Sequence, residues 1–359
     1  MLIKKYFLNF TLLYIFFIFL SLIIFFFSTT KVYGKAFEIN DIEISRPFEI
    51  NFDKNKVLDE GFKKAFSELI SLIVNSKDQN KINLIKLNEI KGMIESFSIK
   101  EEEFINEVYF VNLGVSFNKK KVFNFLEKKN IFPTIPLKKK LLFIPIIINE
   151  NTKDLMIFND NKIFDEWNKQ VQSFHLIEYI LPTEDLEDLN LVKKNYDNIE
   201  RYNFEEIINK YDLKDSIIAL LFKNESEVRI LSRLSMNDEV ILKNLTFSKI
   251  DIENDQDTKN IIKDLKIIYE DHWKNLNQIN TSIKLPLKVK IRNLDSMKIS
   301  NFEKILHASD LIYEFYITKF DKDFTYYQIL YNGTPNSFLK TMKKNNLDFD
   351  TQNKTWILK

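Results

Sequence analysis

The chain has 359 residues, a formal net charge of +1, 45% hydrophobic residues and 29% charged residues. This length predicts two or three globular units, and the balanced charge argues against a nucleic-acid partner, which would need a basic surface. The absence of cysteine excludes disulfides, thiolate catalysis and zinc ribbons, and the presence of only 3 histidines and 5 glycines argues against imidazole chemistry and glycine-rich phosphate loops.

The N-terminal segment predicts export. Lys4 and Lys5 precede an uncharged, mainly apolar run, Tyr6–Phe27, and cleavage after Gly34 or Ala36 would fit a secretory signal peptide. The run is also long enough to span a bilayer, so an uncleaved membrane anchor is the alternative. The two lysines favour a cytoplasmic N-terminus. We therefore expect the body of the protein in the periplasm, either free or held at the inner membrane through this segment alone.

The first segment after the leader predicts a small α+β domain. Alternating apolar and polar residues from Phe37 to Ile44 indicate a half-buried strand, and apolar residues three and four apart in Lys56–Val74 indicate an amphipathic helix. Strands are expected at Met93–Ile99 and Val108–Phe117, after which Asn118 is a suitable N-cap for a second helix. This β-α-β-β-α order predicts helices on one face of a small sheet.

The central segment predicts an α/β unit. A linker at Phe132–Pro136 precedes the apolar run Leu141–Ile148, which is typical of a strand covered on both faces. A helix at Phe164–Ser173 and strands at Leu176–Leu181 and Ser216–Lys223 follow. The alternation of strands and helices predicts some parallel pairing.

The last segment repeats the order of the first. A polar, acidic loop is expected at Ser248–Asn260, before a long amphipathic helix, Ile261–Leu276, whose apolar stripe covers its own domain or, alternatively, binds a partner. The elements expected after that helix are a strand at Leu285–Ile291, a helix at Asn301–His307, strands at Leu311–Phe320 and Phe324–Tyr331, a helix opened by Asn332–Pro335, and a closing strand at Lys354–Leu358.

Together these patterns predict a multidomain α+β and α/β fold, in which two small β-α-β-β-α units flank a central α/β unit. The predicted boundaries are 1–36 for the signal peptide or membrane anchor, 37–133 for the N-terminal α+β domain, 134–247 for the central α/β domain, 248–284 for the loop and amphipathic helix, and 285–359 for the C-terminal α+β domain.

Chemical signatures are scarce in this sequence. The three histidines lie far apart, and the three tryptophans sit beside apolar periodic positions, where packing is the expected role. We therefore predict no catalytic, cofactor-binding or metal-binding residue. The residues concerned are His175, His272, His307, Trp167, Trp273 and Trp356.

One acidic segment could carry chemistry or bind a partner. Its four carboxylates are Glu184, Asp185, Glu187 and Asp188. Such oxygens can bind a hard cation or form an acid–base pair, but the ligand spacing and turn glycine of a calcium loop are missing. We expect a structural role, in which Thr183 caps a helix, the carboxylates occupy its first turns, and Leu186 and Leu189 face inward. An acidic interaction patch for a partner is the alternative.

Short motifs along the chain also carry a family resemblance. They are Tyr109–Phe132, Leu142–Ile148, Trp167, Leu181–Asp188, Arg201–Tyr202, Ser216–Phe222, Gly333, Leu339, Leu347 and Trp356–Leu358. Together they resemble a family of exported bacterial envelope proteins known as domain of unknown function 2066. The resemblance covers most of the chain after the leader. It implies export in a Gram-negative bacterium and no assigned reaction.

Two functions from different classes follow as hypotheses. The favoured one is a non-enzymatic binding or scaffolding protein of the periplasm, with an envelope protein as its partner and no cofactor. The alternative is an envelope hydrolase acting on glycan through paired carboxylates, because 51 acidic residues offer many possible pairs. A deep cleft with two facing carboxylates would favour the hydrolase, and an exposed sheet edge would favour the binding protein.

Overall fold

The computed structural model describes residues 37–158, 160–169, 175–225, 227–309 and 311–359. The predicted leader, residues 1–36, lies outside the described residues. Within those described ranges the chain forms three β-sheets and ten α-helices, which confirms the predicted multidomain fold of mixed α and β structure. No helix in the described part of the chain is long and apolar enough to cross a membrane.

The first sheet has three antiparallel strands and is covered by helices. Its elements are β1 (Glu38–Pro47), α1 (Lys54–Ile73), α2 (Ser76–Gln79), α3 (Leu87–Met93), β2 (Ile94–Ile105), β3 (Val108–Phe117) and α4 (Lys119–Lys128). β3 lies between β1 and β2, so both of these are edge strands. α1 crosses the sheet so closely that any side chain at Gly61 would collide with Leu113. Asn118 caps α4, as predicted, by accepting a hydrogen bond from Lys121 N at 3.1 Å.

The second sheet has six strands. Its elements are β4 (Lys139–Asn149), β5 (Leu155–Met156), α5 (Lys162–Trp167), β6 (Ile177–Ile180), α6 (Leu186–Lys194), α7 (Glu205–Ile208), β7 (Ser216–Lys223), β8 (Glu227–Met236), β9 (Glu239–Ser248) and α8 (Asp255–Leu276), with single 3-10 turns at Tyr196–Asn198 and Asn209–Tyr211. β4 pairs in parallel with β6 and β7, whereas β7, β8 and β9 are antiparallel. β4 and β7 are buried on both faces, between one core that includes α8 and another that includes α6 and α7.

Three predictions in this region need correction. The hairpin of β8 and β9 was not predicted. The loop expected at Ser248–Asn260 is wrong beyond Asn254, whose side chain caps α8 by accepting from Gln256 N and Asp257 N at 2.9 and 3.2 Å. The helix predicted at Phe164–Ser173 ends at Trp167, and residues 170–174 of that prediction lie outside the described residues.

The third sheet repeats the strand order of the first and extends it. Its elements are β10 (Leu285–Arg292), α9 (Ser296–Ala308), β11 (Ile312–Phe320), β12 (Phe324–Tyr331), α10 (Pro335–Lys344), β13 (Phe349–Asp350) and β14 (Trp356–Leu358). β12 lies between β10 and β11, as β3 lies between β1 and β2. β14 then pairs in parallel with the free side of β10, and β13 adds a further strand.

α8 joins the first sheet to the second. Lys274 Nζ donates hydrogen bonds to the carbonyl oxygens of Ser71 and Val74 at 2.5 and 3.3 Å, at the C-terminal end of α1. Asp271 accepts from Ser76 N at 2.9 Å. The segment predicted as a linker is held as well, because Ile279 N donates to the carbonyl oxygen of Pro133 at 2.8 Å. Directional contacts therefore fix this junction.

Candidate interaction surface

One end of the first sheet brings together three segments of the chain. β2 and β3 are joined there by a two-residue turn, Asn106–Glu107, with φ angles of 51° and 61°. Two consecutive residues with positive φ match the twist of a tight hairpin. The amide of Phe48, just after β1, donates to the carbonyl oxygen of Glu107 at 2.7 Å. That bond fixes the loop between β1 and α1 beside the hairpin turn.

Four aromatic rings contact one another at this end, in edge-to-face and tilted arrangements. The ring centroids of Phe48 and Phe104 are 4.6 Å apart, those of Phe48 and Phe52 are 4.9 Å apart, and those of Phe52 and Tyr109 are 5.0 Å apart. Tyr109 is buried, but Phe48 and Phe104 are 51% and 56% exposed. Mutual ring contacts therefore hold two phenylalanines in place while half of their surface stays in water.

Three more exposed apolar residues lie close to these rings in the chain, Ile105 and Val108 as a cross-strand pair on the other face of the hairpin. Ile50 is fully exposed, and Ile105 and Val108 are 57% and 38% exposed. We call the set Phe48, Ile50, Phe104, Ile105 and Val108 the apolar tip. Single exposed apolar residues are ordinary on a protein surface, whereas several at one end of a sheet are typical of an interaction site.

A hydrogen-bonded carboxylate supports the apolar tip from below. Glu102 on β2 accepts from Lys54 Nζ at 2.5 Å and from the Tyr109 hydroxyl at 2.9 Å. The bond from Lys54, and then the bond from Tyr109, lower the pKa of Glu102. Burial, followed by the bond to Glu102, raises the pKa of Tyr109 to about 12. At neutral pH the carboxylate is thus charged and the phenol neutral, which ties β2 to α1 without offering a mobile proton.

Two depressions occur near charged residues. The first, about 260 Å³, adjoins the apolar tip and is lined by polar groups that include Lys56 and the ion pair of Arg46 with Glu60. The second, about 630 Å³, lies beside the start of β7. The carboxylate residues Glu205, Asp212 and Asp238 are part of its lining.

The second depression is open to solvent. Its arginine, Arg233, donates to the backbone carbonyl oxygens of Tyr202 and Glu200 at 2.8 and 2.6 Å. The guanidinium therefore stabilises the local backbone through these two bonds. This open depression is therefore unlike the deep cleft with two facing carboxylates that would favour a hydrolase.

The acidic segment at the start of α6 differs from its predicted arrangement. The helix cap is Asp185, which accepts from Glu187 N at 2.8 Å, so the prediction of Thr183 as the cap is wrong. Thr183 instead donates its amide to the Tyr211 hydroxyl at 2.8 Å. Leu189 is half-buried and packs against the core of the second sheet. Leu186 is 77% exposed, which contradicts its predicted inward position.

The four carboxylates of this segment have unlike surroundings. Lys210 Nζ lies 2.7 Å from a carboxylate oxygen of Asp185 and 2.7 Å from one of Asp188. Asp188 is buried, whereas Glu184 and Glu187 are exposed. Hydrogen bonding to Lys210 lowers the pKa of Asp185. The predicted acidic interaction patch stays a prediction, with Glu184 and Glu187 as its exposed members.

The histidines and tryptophans lie apart from the apolar tip. Trp167 stacks on Phe143 with ring centroids 3.9 Å apart, and both are fully buried in the core of the second sheet, as expected of a packing residue. Trp273 is buried as well and donates to the carbonyl oxygen of Leu137 at 2.7 Å. Burial lowers the pKa of His272. In the part of the chain that the structure describes, no cluster of three or more acidic, histidine or cysteine residues could hold a metal ion.

Sequence reasoning missed the apolar tip. A local signal for half of it exists, because the pair Asn106–Glu107 interrupts two apolar stretches as a hairpin turn does. The other half depends on Phe48, which lies far from the turn in the chain. No local pattern encodes that proximity.

Comparison with known proteins adds little. No protein-family model matches the chain, and no curated protein matches it. One solved structure, described as the crystal structure of an uncharacterized protein, aligns with 40% of this chain and 95% of its own chain, at 6% sequence identity and a TM-score of 0.16. A likeness this weak carries no argument about fold or function.

Proposed function

We propose that the protein is an exported cell-envelope protein that binds or scaffolds a protein partner rather than catalysing a reaction. The observation that carries the proposal is the apolar tip, where three chain segments hold five apolar side chains in contact with water. The proposed export rests on the N-terminal leader and on the resemblance to exported envelope proteins.

The physical case is one of preorganisation. Phe48 and Phe104 already contact each other edge to face, so a partner that covers them loses little side-chain entropy. Interfaces typically place aromatic anchors at the centre and charged residues at the rim. Arg46 and Glu49 lie beside the aromatic cluster, in the lining of the adjoining depression. The tip thus has the composition of a protein interface.

Site-specific photocrosslinking in cells tests the proposal. A photoreactive residue at Ile50 should give a discrete crosslinked species, because Ile50 is fully exposed at the tip. The matched control is Leu84, which is 96% exposed in the segment between α2 and α3 and is not part of the apolar tip. The double variant Phe48→Ser/Phe104→Ser should abolish the crosslink from Ile50. Equal crosslinking from both positions, or none from Ile50, would reject the tip as a partner site.

Two further measurements separate the alternatives. A reporter that is active only after export should be active when fused to the C-terminus, and cytoplasmic activity would contradict the proposed location. Purified protein should release no fragments from envelope glycan. Glycan cleavage that is lost on Glu205→Gln or Asp238→Asn would instead support the hydrolase.

A further inference from the structure

β2 presents a long, uncovered sheet edge. All of its residues after Ile94 are exposed, and β3 occupies only one of its sides. Register shifts near Glu95 and Lys100 leave two regular stretches, Ser96–Ile99 and Glu101–Ile105. An exposed edge strand offers backbone donors and acceptors that can pair with another strand.

The opposite edge of the same sheet has much less to offer a partner. On β1 the apolar residues Ile39, Ile42 and Ile44 are at most 6% exposed, because the helices already cover them. Asp41, with φ of 61°, also interrupts the pairing register of β1. A strand added there would bury little apolar surface.

β2 still has apolar surface to bury. Phe97 and Ile99 are 48% and 38% exposed, and they lie opposite Val115 and Leu113, on the helix-covered face of the sheet. Phe104 lies on this face too, opposite Tyr109. A fourth strand beside β2 would cover part of this row.

The other face of β2 carries uncompensated negative charge. Glu101 and Glu103 lie opposite Asn112 and Phe110 and form no ion pair within the described ranges. The adjacent cation, Lys100, is 3.2 Å from Asp41, so it is already neutralised. Pairing of this edge with the same edge of a second copy would bring like charges together, which is unfavourable. Charge complementarity therefore selects a basic partner.

We infer that the edge Glu101–Ile105 of β2 receives an extended segment of the partner as a fourth strand, with lysine or arginine beside Glu101 and Glu103 and apolar residues beside Phe104. The inference rests on the proposed function and names the chemistry of the partner. Side chains on a strand alternate between faces, so one segment can meet both requirements with a period of two.

A defined peptide tests this inference. The probe is a fluorescent eight-residue peptide of alternating lysine and valine, and its binding to the purified exported protein is measured by fluorescence anisotropy. We expect binding to weaken about tenfold or more in Glu101→Lys/Glu103→Lys, because complementary charge becomes repulsion. The matched control, Glu38→Lys/Glu43→Lys, makes the same charge change on the opposite edge and should weaken binding by about twofold at most, given screening by salt.

A second peptide separates strand pairing from charge attraction. Methylation of alternate backbone amides keeps every lysine but removes the donors that an added strand needs. This peptide should bind at least about tenfold more weakly than the parent. Equal binding of the two peptides would overturn the inference, as would equal binding by the double-lysine variant. The two glutamates would then only protect the edge from self-pairing.

Two controls keep the outcome interpretable. Thermal melts check that each variant is folded, and Glu101→Gln/Glu103→Gln replaces the lysine variant if that one unfolds. The crosslink from Ile50 is scored separately. If the unmodified protein does not bind the peptide but still gives the crosslink from Ile50, the inference is overturned and the proposed function stands. If it binds the peptide but gives no crosslink from Ile50, the apolar tip is rejected as a partner site and the strand pairing stands.

Discussion

The first and third sheets share a strand order but differ at their edges. In both, the first strand of the unit pairs antiparallel with the third, and the second forms a hairpin with the third. In the third sheet, β14 covers the free side of β10, whereas no strand among the described residues pairs with the free side of β1. The same small module is therefore extended at one end of the chain and left open on both sides at the other.

The hairpin edges also differ in charge. On β11, Glu314 pairs with Lys120 at 2.7 Å and Lys319 approaches Asp321 at 3.8 Å, so the acidic and basic groups are matched. On β2, Glu101 and Glu103 form no ion pair with any residue that the structure describes. Because the two sheets share a strand order, the residues at the edge strand decide whether a partner strand can bind. We therefore propose partner binding at the edge of the first sheet and not at that of the third.

The largest effect is expected from the matching core phenylalanines of the two units. Phe123 on α4 and Phe338 on α10 follow the third strand of their units and are 2% and 0% exposed. Replacing either with alanine should cost about 3–5 kcal/mol of unfolding free energy, through lost burial and a cavity. Denaturant unfolding measures the cost. Phe320→Ala, at a 68% exposed position, is the control and should change stability by less than about 0.5 kcal/mol.

A buried carboxylate should make the first unit sensitive to pH. Glu68 on α1 is buried, and burial raises its pKa from 4.5 to about 7, while Lys64 lowers it in part. The unfolded chain releases this proton near pH 4.5 and the folded chain only near pH 7. Folding therefore loses stability as pH rises between these values, and the loss persists above pH 7.

Removing that carboxyl group should remove its share of the pH dependence. We compare the unfolding free energy of Glu68→Gln with that of the unmodified protein at two pH values. The difference should be about 1–3 kcal/mol more favourable to the variant at pH 8 than at pH 4. Chemical denaturation of both proteins across this range checks it. Glu43→Gln, the same substitution at an exposed position of β1, is the matched control. Parallel pH profiles for Glu68→Gln and the unmodified protein would show that Glu68 does not titrate as described.

The junctions of the two flanking units should differ in strength. Lys274 satisfies two carbonyl oxygens at the end of α1 and is buried, so Lys274→Ala should cost about 1–3 kcal/mol. The third sheet meets α4 partly through the exposed pair of Lys120 and Glu314, where Glu314→Gln should cost about 1 kcal/mol or less. Thermal unfolding compares them. A larger loss from Glu314→Gln would reverse this ranking of the two junctions.

Sequence patterns predicted strands well where apolar residues alternate with polar ones or form an uninterrupted run. The predicted bounds of Val108–Phe117, Ser216–Lys223 and Phe324–Tyr331 match the structure residue for residue. β8 alternates between buried and half-buried positions, so its sequence has the period of two that predicts a strand, although no strand was predicted there. β9 is an edge strand with no buried position. Its half-buried Ile241, Leu245 and Phe247 share one face, but the exposed Val240 and Leu242 on the other face obscure the period of two in the sequence.

The candidate site was harder to anticipate than the fold. The apolar tip depends on the long-range hydrogen bond between Phe48 and Glu107. The two glutamates of β2 can be recognised as part of an open sheet edge only when the pairing of β2 with β3 is known. The acidic segment was recognised, but its helix start was misplaced, because Thr183 and Asp185 are both good caps and the hydroxyl of Tyr211 engages the threonine. Tertiary contacts thus decided both cases.

The smallest expected effect separates the caps of the matching helices α4 and α10. Asn118 accepts one bond from Lys121 N, whereas Thr334 accepts from Ser337 N at 3.2 Å and its own amide donates to the Ser337 hydroxyl at 3.1 Å. Asn118→Ala and Thr334→Ala should each cost about 1 kcal/mol, because each leaves one helix-terminal N–H without its partner. Ser337→Ala should cost only about a few tenths of a kcal/mol, because it removes the bond from the Thr334 amide to the Ser337 hydroxyl and keeps the capping bond of Thr334. Asn118→Asp and Thr334→Ser keep a cap oxygen and should be nearly neutral in thermal melts. If these conservative variants lose as much stability as the alanine variants, the side-chain contacts of the two residues, rather than their capping bonds, stabilise the helix starts.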